Sequence, residues 1–371
     1  MLQLLRETPP GYGGVERVAH ELGSAFHAHG EPSLVYSLRP PLRSQGDPLP
    51  VAYRRVPLPS LVFGQLLLPL PTVQLLQVLL DSEPLHAHLP CPAVLLLACL
   101  ARLIRPRRQI TIHWHSFLDP ASTPTGLLIA LYQNLAQRLL SFFSFTVTTS
   151  PVLRDTLVDR GVTRPSIRVL PCSLPAMFEQ RADIIAMTRS AALTSSPFRV
   201  VSIGRLTSYK RVDWLIQSIA AIPDLSVTLH VVGDGPDRAF LESLADSLIP
   251  GRVHFHGILD EADKIELLSN SDLLVLAANR CNEAFGIVQL EAMACAVPAV
   301  AFTVPLSGMA WVSRLQSLPW DETKAALPSV ITRLATDPEL LKTVRSEARQ
   351  RYQLEFQRCL WLERFQQVFT T

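Results

Sequence analysis

Short apolar runs alternate along the chain with segments whose apolar residues recur every three or four positions. Leu2–Leu5 reads as a strand, and Val15, Val18, Ala19, Leu22 and Phe26 then fall on one helical stripe. Further strands are predicted at Ser33–Ser37, Gln109–Trp114, Phe145–Thr149 and Ile167–Leu170, with helices over Thr125–Ser141 and Pro151–Arg160. The rhythm returns in the second half. Strands at Phe198–Ile203, Val227–Val232, Val253–His256 and Asp272–Ala278 are separated by helices over Arg211–Ile222, Arg238–Leu248 and Asp260–Ser269. A short helix then sets Phe285, Val288, Ala292 and Met293 on a core-facing stripe, ahead of a last apolar run, Val297–Phe302. Such alternation predicts an α/β chain built on parallel sheets.

Two stretches break the rhythm. Val56–Leu80 and Pro84–Ala101 carry no charged residue. A membrane-spanning helix needs about 20 apolar residues, but Pro69, Pro71, Gln65, Gln74 and Gln77 argue against one. These runs are read as core helices with a face that can rest on a membrane. Arg102, Arg105, Arg107 and Arg108 follow directly, suited either to anionic headgroups or to a solvated helix end. Pro171–Pro197 is proline-punctuated and without a clear strand, and the domain boundary is placed there.

Composition narrows the class. A chain of 371 residues accommodates two domains, and 48% hydrophobic content supplies a large core. A net charge of +2 offers no electrostatic footprint for nucleic acid. The six cysteines form no C-x-x-C pair, which argues against a zinc ribbon or disulfide scaffold and suits a reducing cytoplasm. The first residues lack the basic and long apolar regions of a secretory signal.

Candidate chemistry sits at the strand ends. Thr8–Gly14 is a glycine loop between a strand and a helix, able to bring backbone N–H groups to a phosphate or sugar. Glu16 stands where a third glycine would complete the dinucleotide fingerprint, so that fingerprint fails, and it fails again at Gly233-Asp234-Gly235. His113 and His115 share a strand face, as some metal ligands do, but Asp119 is the only acidic residue nearby and no ligand spacing completes a set. A histidine at the carboxyl end of a parallel strand sits where ligands bind, so His115 is a candidate substrate contact, with a satisfied core histidine as the alternative. Gly204, Arg205 and Lys210 form a cationic turn before a helix, either an anion cradle or two solvated charges. Glu283 and Glu291 bracket the short helix of the second half. Locally they read as a cap and a solvated face residue.

Taken together, these segments resemble a known family. Gly204-Arg205-Leu206 with Lys210, Val232–Pro236, Val253-x-Phe255-x-Gly257, and Glu283-x-Phe285-Gly286 with Glu291-Ala292-Met293-Ala294 match the order and intervals of family 4 retaining glycosyltransferases. Gly13-Gly14-Val15-Glu16, His115 and Thr149-Ser150 are similar to the same family in the first half, so the resemblance covers nearly the whole chain. Ile112–Ser116 and Pro305–Val312 look like the bacterial O-antigen and capsule mannosyltransferase branch.

The resemblance implies a GT-B architecture, two Rossmann-like doubly wound domains facing across a cleft. Residues 1–172 would form the acceptor-side domain, 173–197 a linker, 198–354 the donor domain, and 355–371 a helix packing back on the first domain. The implied activity is retaining, metal-independent transfer of a hexose, mannose or similar, from a GDP- or UDP-sugar to a growing polysaccharide, lipopolysaccharide or lipid-linked glycan. The implied location is cytoplasmic, peripheral to the inner face of the plasma membrane, with no cofactor beyond the donor. Arg205 and Lys210 would neutralise the diphosphate, Glu283 would hold donor-sugar hydroxyls, and His115 would contact the sugar near its reacting carbon. Gly13 and Gly14 would close over the diphosphate beside Gly204. Phe285, Gly286, Ile287 and Val288 would present N–H groups, and Glu291 would bind the ribose. Three departures stand out: Phe117 in place of Asp, Ala296 in place of glycine, and a shortened segment, Arg314–Pro319. The alternative is a degenerate GT-B subunit that binds a sugar nucleotide or a partner transferase without turnover. A nicotinamide oxidoreductase is disfavoured by both failed fingerprints.

Overall fold

A computed structural model describes residues 1–7, 13–39, 53–63, 66–120, 124–189 and 197–369. Most of the Thr8–Gly14 loop, residues 8–12, therefore lies outside the described residues. The chain forms two compact units, Met1–Cys172 joined by the segment from Leu362, and Ser173–Trp361.

The first unit is built on eight strands: β1 (Leu2–Arg6), β2 (Leu34–Arg39), β3 (Arg54–Phe63), β4 (Leu66–Pro69), β5 (Leu85–Leu89), β6 (Ile110–Trp114), β7 (Phe145–Thr148) and β8 (Ile167–Val169). Their order is β4-β3-β2-β1-β5-β6-β7-β8, parallel except for the β3/β4 hairpin. Helices α1 (Gly14–Ala28), α2 (Val73–Leu80), α3 (Pro92–Ile104), α4 (Pro124–Leu139) and α5 (Pro151–Asp159) connect them. The chain winds outward in both directions from β1 and β5, so the topological switch point lies between these two strands. In register, Gln3 faces His86, His86 faces Thr111, and His88 faces His113. A polar row thus crosses the sheet centre on one face.

The expectation of core helices over Val56–Leu80 is corrected. Among the described residues of that run only Val73–Leu80 is helical, and residues 54–63 and 66–69 are the strands of the edge hairpin β3/β4. Pro57 and Pro59 lie in β3 before its antiparallel pairing begins at Ser60, a place that tolerates their missing N–H. The second uncharged run divides into β5 and α3, where Pro92 opens the helix. Arg108, counted among four candidate headgroup contacts, is instead 4% exposed and donates to the carbonyls of Val78 and Glu83. Arg102 donates to the Arg108 carbonyl, which leaves Arg105 and Arg107 as the exposed members. Among the described residues no helix is long and apolar enough to cross a membrane.

The second unit opens with α6 (Ala176–Arg189), inside the stretch expected to be a linker. Phe178 and Ala182 are fully buried, and Glu179 accepts from the Tyr352 hydroxyl at 2.8 Å, so α6 is part of the unit's core. Then come β9 (Phe198–Ile203), α7 (Val212–Ala220), β10 (Val227–Val232), α8 (Arg238–Leu248), β11 (Val253–Gly257), α9 (Glu261–Ser269), β12 (Leu273–Leu276), α10 (Ile287–Ala294) and β13 (Ala299–Ala301). Helices α11 (Met309–Val312), α12 (Leu327–Thr336), α13 (Pro338–Glu355) and α14 (Arg358–Phe369) complete the chain. The five strands pair in parallel in the order β11-β10-β9-β12-β13, which puts this unit's switch point between β9 and β12. The end of α14 belongs to the first unit, where Phe365 and Phe369 meet Phe26 of α1 edge-on at 4.7 and 5.2 Å.

Candidate active site

In the second unit the carboxyl ends of β9 and β12 bound a small crevice lined by Gly204, Arg205, Lys210, Val212, Leu276 and Ala277, among others. Open α/β sheets bind ligands at this place. The turn after β9 is held by backbone bonds: Gly204 N–H to Val232 O at 2.9 Å and Leu206 N–H to Asp234 O at 3.0 Å. The two loops touch so closely that a Cβ on Gly233, at φ 126°, would fall 2.0 Å from the Gly204 carbonyl oxygen. The residue there must be glycine for the cationic turn to take this shape.

Lys210 closes a short 3₁₀ turn and its ammonium ion-pairs with Glu283. Burial opposes the lysine charge, but the Glu283 carboxylate, its hydrogen bond and Tyr209 outweigh it and hold Lys210 above its ordinary value. Arg205 is exposed and has no ion pair among the described residues. Two cations and one carboxylate therefore meet at the switch point.

Glu283 does not cap α10. The N-cap is Gly286, left-handed at φ 74°, and its side-chain-free position receives no capping bond. The loop after β13 braces this stretch: Ser307 Oγ donates to the Glu283 carbonyl, and Gly308 N–H donates to Ala284 O at 2.9 Å. Gln289 Nε2 binds Phe285 O at 2.7 Å and Met309 O at 3.1 Å. Phe285 packs inside, whereas Ile287 and Val288 stay partly exposed at the helix start. The first amides of α10 thus lie on a rigid turn without a side-chain cap, an arrangement suited to an anion.

Glu291 is neither solvated nor placed beside Glu283's ion pair. It is 2% exposed, and its Oε1 takes the Lys264 ammonium of α9 at 2.6 Å. Lys264 also lies 5.3 Å over the Phe178 ring of α6. In this arrangement the carboxylate is buried, and Lys264 holds its Oε1. The cause is tertiary: three helices converge on one side chain.

In the first unit Gly13 is the N-cap of α1 and Gly14 its first residue, both exposed and without a side-chain cap. Ser150 caps α5 by accepting from Leu153 N–H at 3.2 Å. His115 follows β6 and is 6% exposed. Its ring stacks on His113 at 4.0 Å, and its Nε2 lies 2.8 Å from His88 Nδ1. His86, His88 and His113 bring ligand atoms within 4.8 Å of one another, so the expectation that no histidine set assembles here is corrected. The set spans two parallel strands and could not be read within one. Both nitrogens of His86 and of His88 are hydrogen-bonded, to Thr111, His113, His115 and Gln3. Burial holds His86 at about 3 and pushes His88, His113 and His115 well below the ordinary imidazole value, neighbouring imidazoles adding to it for the last three.

The shortened segment Arg314–Pro319 forms no strand and lines, with β13, Ala310 and Trp320, a cavity of about 260 Å³. Neither Lys210 nor Glu283 borders that cavity.

Two family models match the chain, a glycosyl transferase 4-like domain over residues 13–173 and glycosyl transferases group 1 over residues 184–351. The chain belongs to the family 4 glycosyltransferases. Over 126 residues, 33% of the chain, this glycosyltransferase is 34% identical to an N-acetyl-alpha-D-glucosaminyl L-malate synthase of Bacillus anthracis. Over 166 residues, 44% of the chain, it is 35% identical to a GDP-mannose-dependent alpha-(1-6)-phosphatidylinositol dimannoside mannosyltransferase of Mycobacterium tuberculosis. These matches span 32% and 42% of the two relatives' own lengths. The Anabaena HepE protein, solved with UDP and glucose, shares the GT-B fold over 100% of this chain and 99% of its own, with a TM-score of 0.73 at 19% identity.

Sequence reasoning about the glycosyltransferase missed Lys264, Gln289, Ser307, Gln3 and His88 as site-shaping residues. The repeated His-x-His pairs, His86/His88 and His113/His115, were the one available signal. The others are ordinary polar residues whose roles arise only from their neighbours.

Proposed function

We propose that the chain transfers a hexose from a nucleoside-diphosphate sugar to a glycan or lipid-linked acceptor, with retention and without a metal ion. The observation that carries this reading is the meeting of Arg205, Lys210 and Glu283 at the β9/β12 switch point, beside the uncapped start of α10. Cleavage at the anomeric carbon leaves an oxocarbenium-like centre and a diphosphate anion. Lys210, Arg205 and the α10 amides stabilise that anion, an effect that is strongest where water is excluded. Glu283, already oriented by Lys210 and Ser307, accepts hydrogen bonds from donor-sugar hydroxyls. On the retained face, the departing phosphate oxygen takes the acceptor's proton as the new glycosidic bond forms. His115, Gly13 and Gly14 keep the donor-binding roles that the family resemblance implies.

The mycobacterial relative's name, a GDP-mannose-dependent enzyme of a phosphatidylinositol glycan, supports GDP-mannose and a lipid-linked acceptor as the first choices. The exposed Leu127, Leu128, Leu131 and Leu135 of α4, with exposed Arg105, Arg107 and Arg138, support contact with an anionic membrane. The second reading, a subunit that binds donor without turnover, draws on the strandless segment Arg314–Pro319.

Incubation with a panel of GDP- and UDP-sugars separates the two. Transfer or donor hydrolysis supports the enzyme, and binding without turnover supports the subunit. Lys210→Met should lower kcat more than it weakens donor binding; equal losses would sink the assigned role.

A further inference from the structure

We infer that Gln3 and His88 are positioning residues that hold His115 as its Nε2–H tautomer, so that His115 presents Nδ1 as an acceptor to a hydroxyl of the donor sugar. The inference deepens the proposed function and rests on it for the identity of the ligand. The relay itself rests on geometry. Gln3 Nε2 donates to the Ala19 carbonyl of α1 at 3.1 Å. A carbonyl can only accept, so the Gln3 amide has one orientation, with Oε1 turned to His88 Nε2 at 2.9 Å. Oε1 is likewise acceptor-only, so His88 Nε2 carries the proton. A neutral His88 then has a lone pair on Nδ1, and His115 Nε2, 2.8 Å away, must donate to it. The proton of a neutral His115 is thereby assigned to Nε2. Its Nδ1 has no partner among the described residues.

Every premise comes from a different element. Gln3 lies on β1, His88 on β5, His115 beyond β6 and Ala19 on α1, and the β1/β5 junction is the unit's switch point. The protonated alternative for His88 fails on solvation, because the ring is buried 2% exposed with no carboxylate in the relay. The bond to His88 Nδ1 sets which edge of the His115 ring faces the relay, and the ring lies parallel to that of His113 at 4.0 Å and 4°. A second chain runs beside the first. Thr111 Oγ1 accepts from His86 Nδ1 while donating to Leu85 O, so His86 Nε2 accepts from His113 Nδ1. It ends at His113 Nε2, buried and without a hydrogen-bond partner.

A ligand hydroxyl at His115 must therefore donate. A fluorine in its place can only accept, and should be no better than hydrogen.

The test begins with ¹⁵N-histidine-labelled full chain and long-range ¹H–¹⁵N correlation spectra, His115 being assigned with His115→Gln. The expected result is a protonated Nε2 and a pyridine-like Nδ1 in the parent protein. Gln3→Leu and His88→Phe should each shift His115 toward a mixture of tautomers; Gln3→Leu is the gentler change should His88→Phe not fold. A parent His115 protonated on Nδ1, or a pattern untouched in folded Gln3→Leu, would overturn the relay. These spectra need no turnover, so they read the relay even if the transferase reading fails. With an active donor in hand, singly deoxygenated and deoxyfluoro donors should show one position where both lose kcat/KM by about tenfold. That loss should vanish in His115→Ala, and a fluoro donor as good as the parent sugar at every position would sink the acceptor role.

Discussion

Ala296 sits at φ 57°, one residue beyond the C-cap of α10. Its N–H binds Met293 O at 3.0 Å and Val297 N–H binds Ala292 O at 2.9 Å, the paired bonds of a Schellman motif. The position demands a left-handed residue, and a side chain there costs about 1–2 kcal/mol. The change from the family's glycine is thus a backbone matter rather than one of packing. Ala296→Gly recovers that strain but loosens the unfolded chain by about 0.4–1 kcal/mol. Its expected net effect is a stabilisation of about 0.5–1 kcal/mol, read from the urea midpoint; a destabilised variant would contradict the strain argument. Gly286 is the converse case. A Cβ there would lie 2.4 Å from Leu276 Cδ2 at φ 74°, so a substitution must push that side chain aside and strains the backbone as well. The cation turn, by contrast, was legible residue by residue, because Arg205 and Lys210 act by charge and need only a turn to hold them.

At the scale of elements, α10 is tied to α9 by a buried ion pair and faces the switch point with its uncapped end. Lys264→Met removes the ammonium that meets the buried Glu291 carboxylate, and a loss of about 3–5 kcal/mol is expected in denaturant unfolding. Replacing both residues with apolar ones should restore most of that stability, since a buried pair is worth little against good packing. A double variant as unstable as the single one would show that the pair itself is needed. Helix α4 is amphipathic with its apolar side outward. Leu127, Leu128, Leu131 and Leu135 form one stripe, each more than half exposed, and the last turn carries exposed Arg138. Leu96, Leu103 and Ile104 of α3 are also exposed, with Arg105 and Arg107 beyond them. Sedimentation with vesicles rich in anionic lipid should retain the chain. A Leu128→Glu, Leu131→Glu variant should lose binding at low and at high salt, while Arg105→Glu, Arg107→Glu should weaken it at low salt. Failure of the parent to sediment would exclude this surface from membrane docking.

At the scale of the whole molecule, the first unit's central sheet carries four neutral histidines, an acid-sensitive core. Burial depresses each below its ordinary 6.5, His86 to about 3. Between those values the unfolded chain binds more protons than the folded one, so stability is full above about pH 6.5 and falls as the pH drops through this window. Each histidine contributes at most about 1.4 kcal/mol per pH unit. The urea midpoint should fall from pH 7 to pH 5, and His113→Leu should flatten that slope; a midpoint rising toward acid would refute it. The sequence by itself determined the α/β alternation, the glycine-bearing turns after β9 and β10 and the family, because hydrophobic period, turn chemistry and motif spacing are local properties. It misjudged Val56–Leu80, where an uncharged leucine-rich run has no period that separates hairpin from helix and only pairing with β2 decides. Tertiary structure alone decided that buried Glu291 pairs with Lys264, that Ser307 and Gln289 brace the Glu283 turn, and that Gln3 reaches His88. Each of those depends on strands or helices far apart in the chain, and the energy of a buried polar group is set by the neighbours that replace its water.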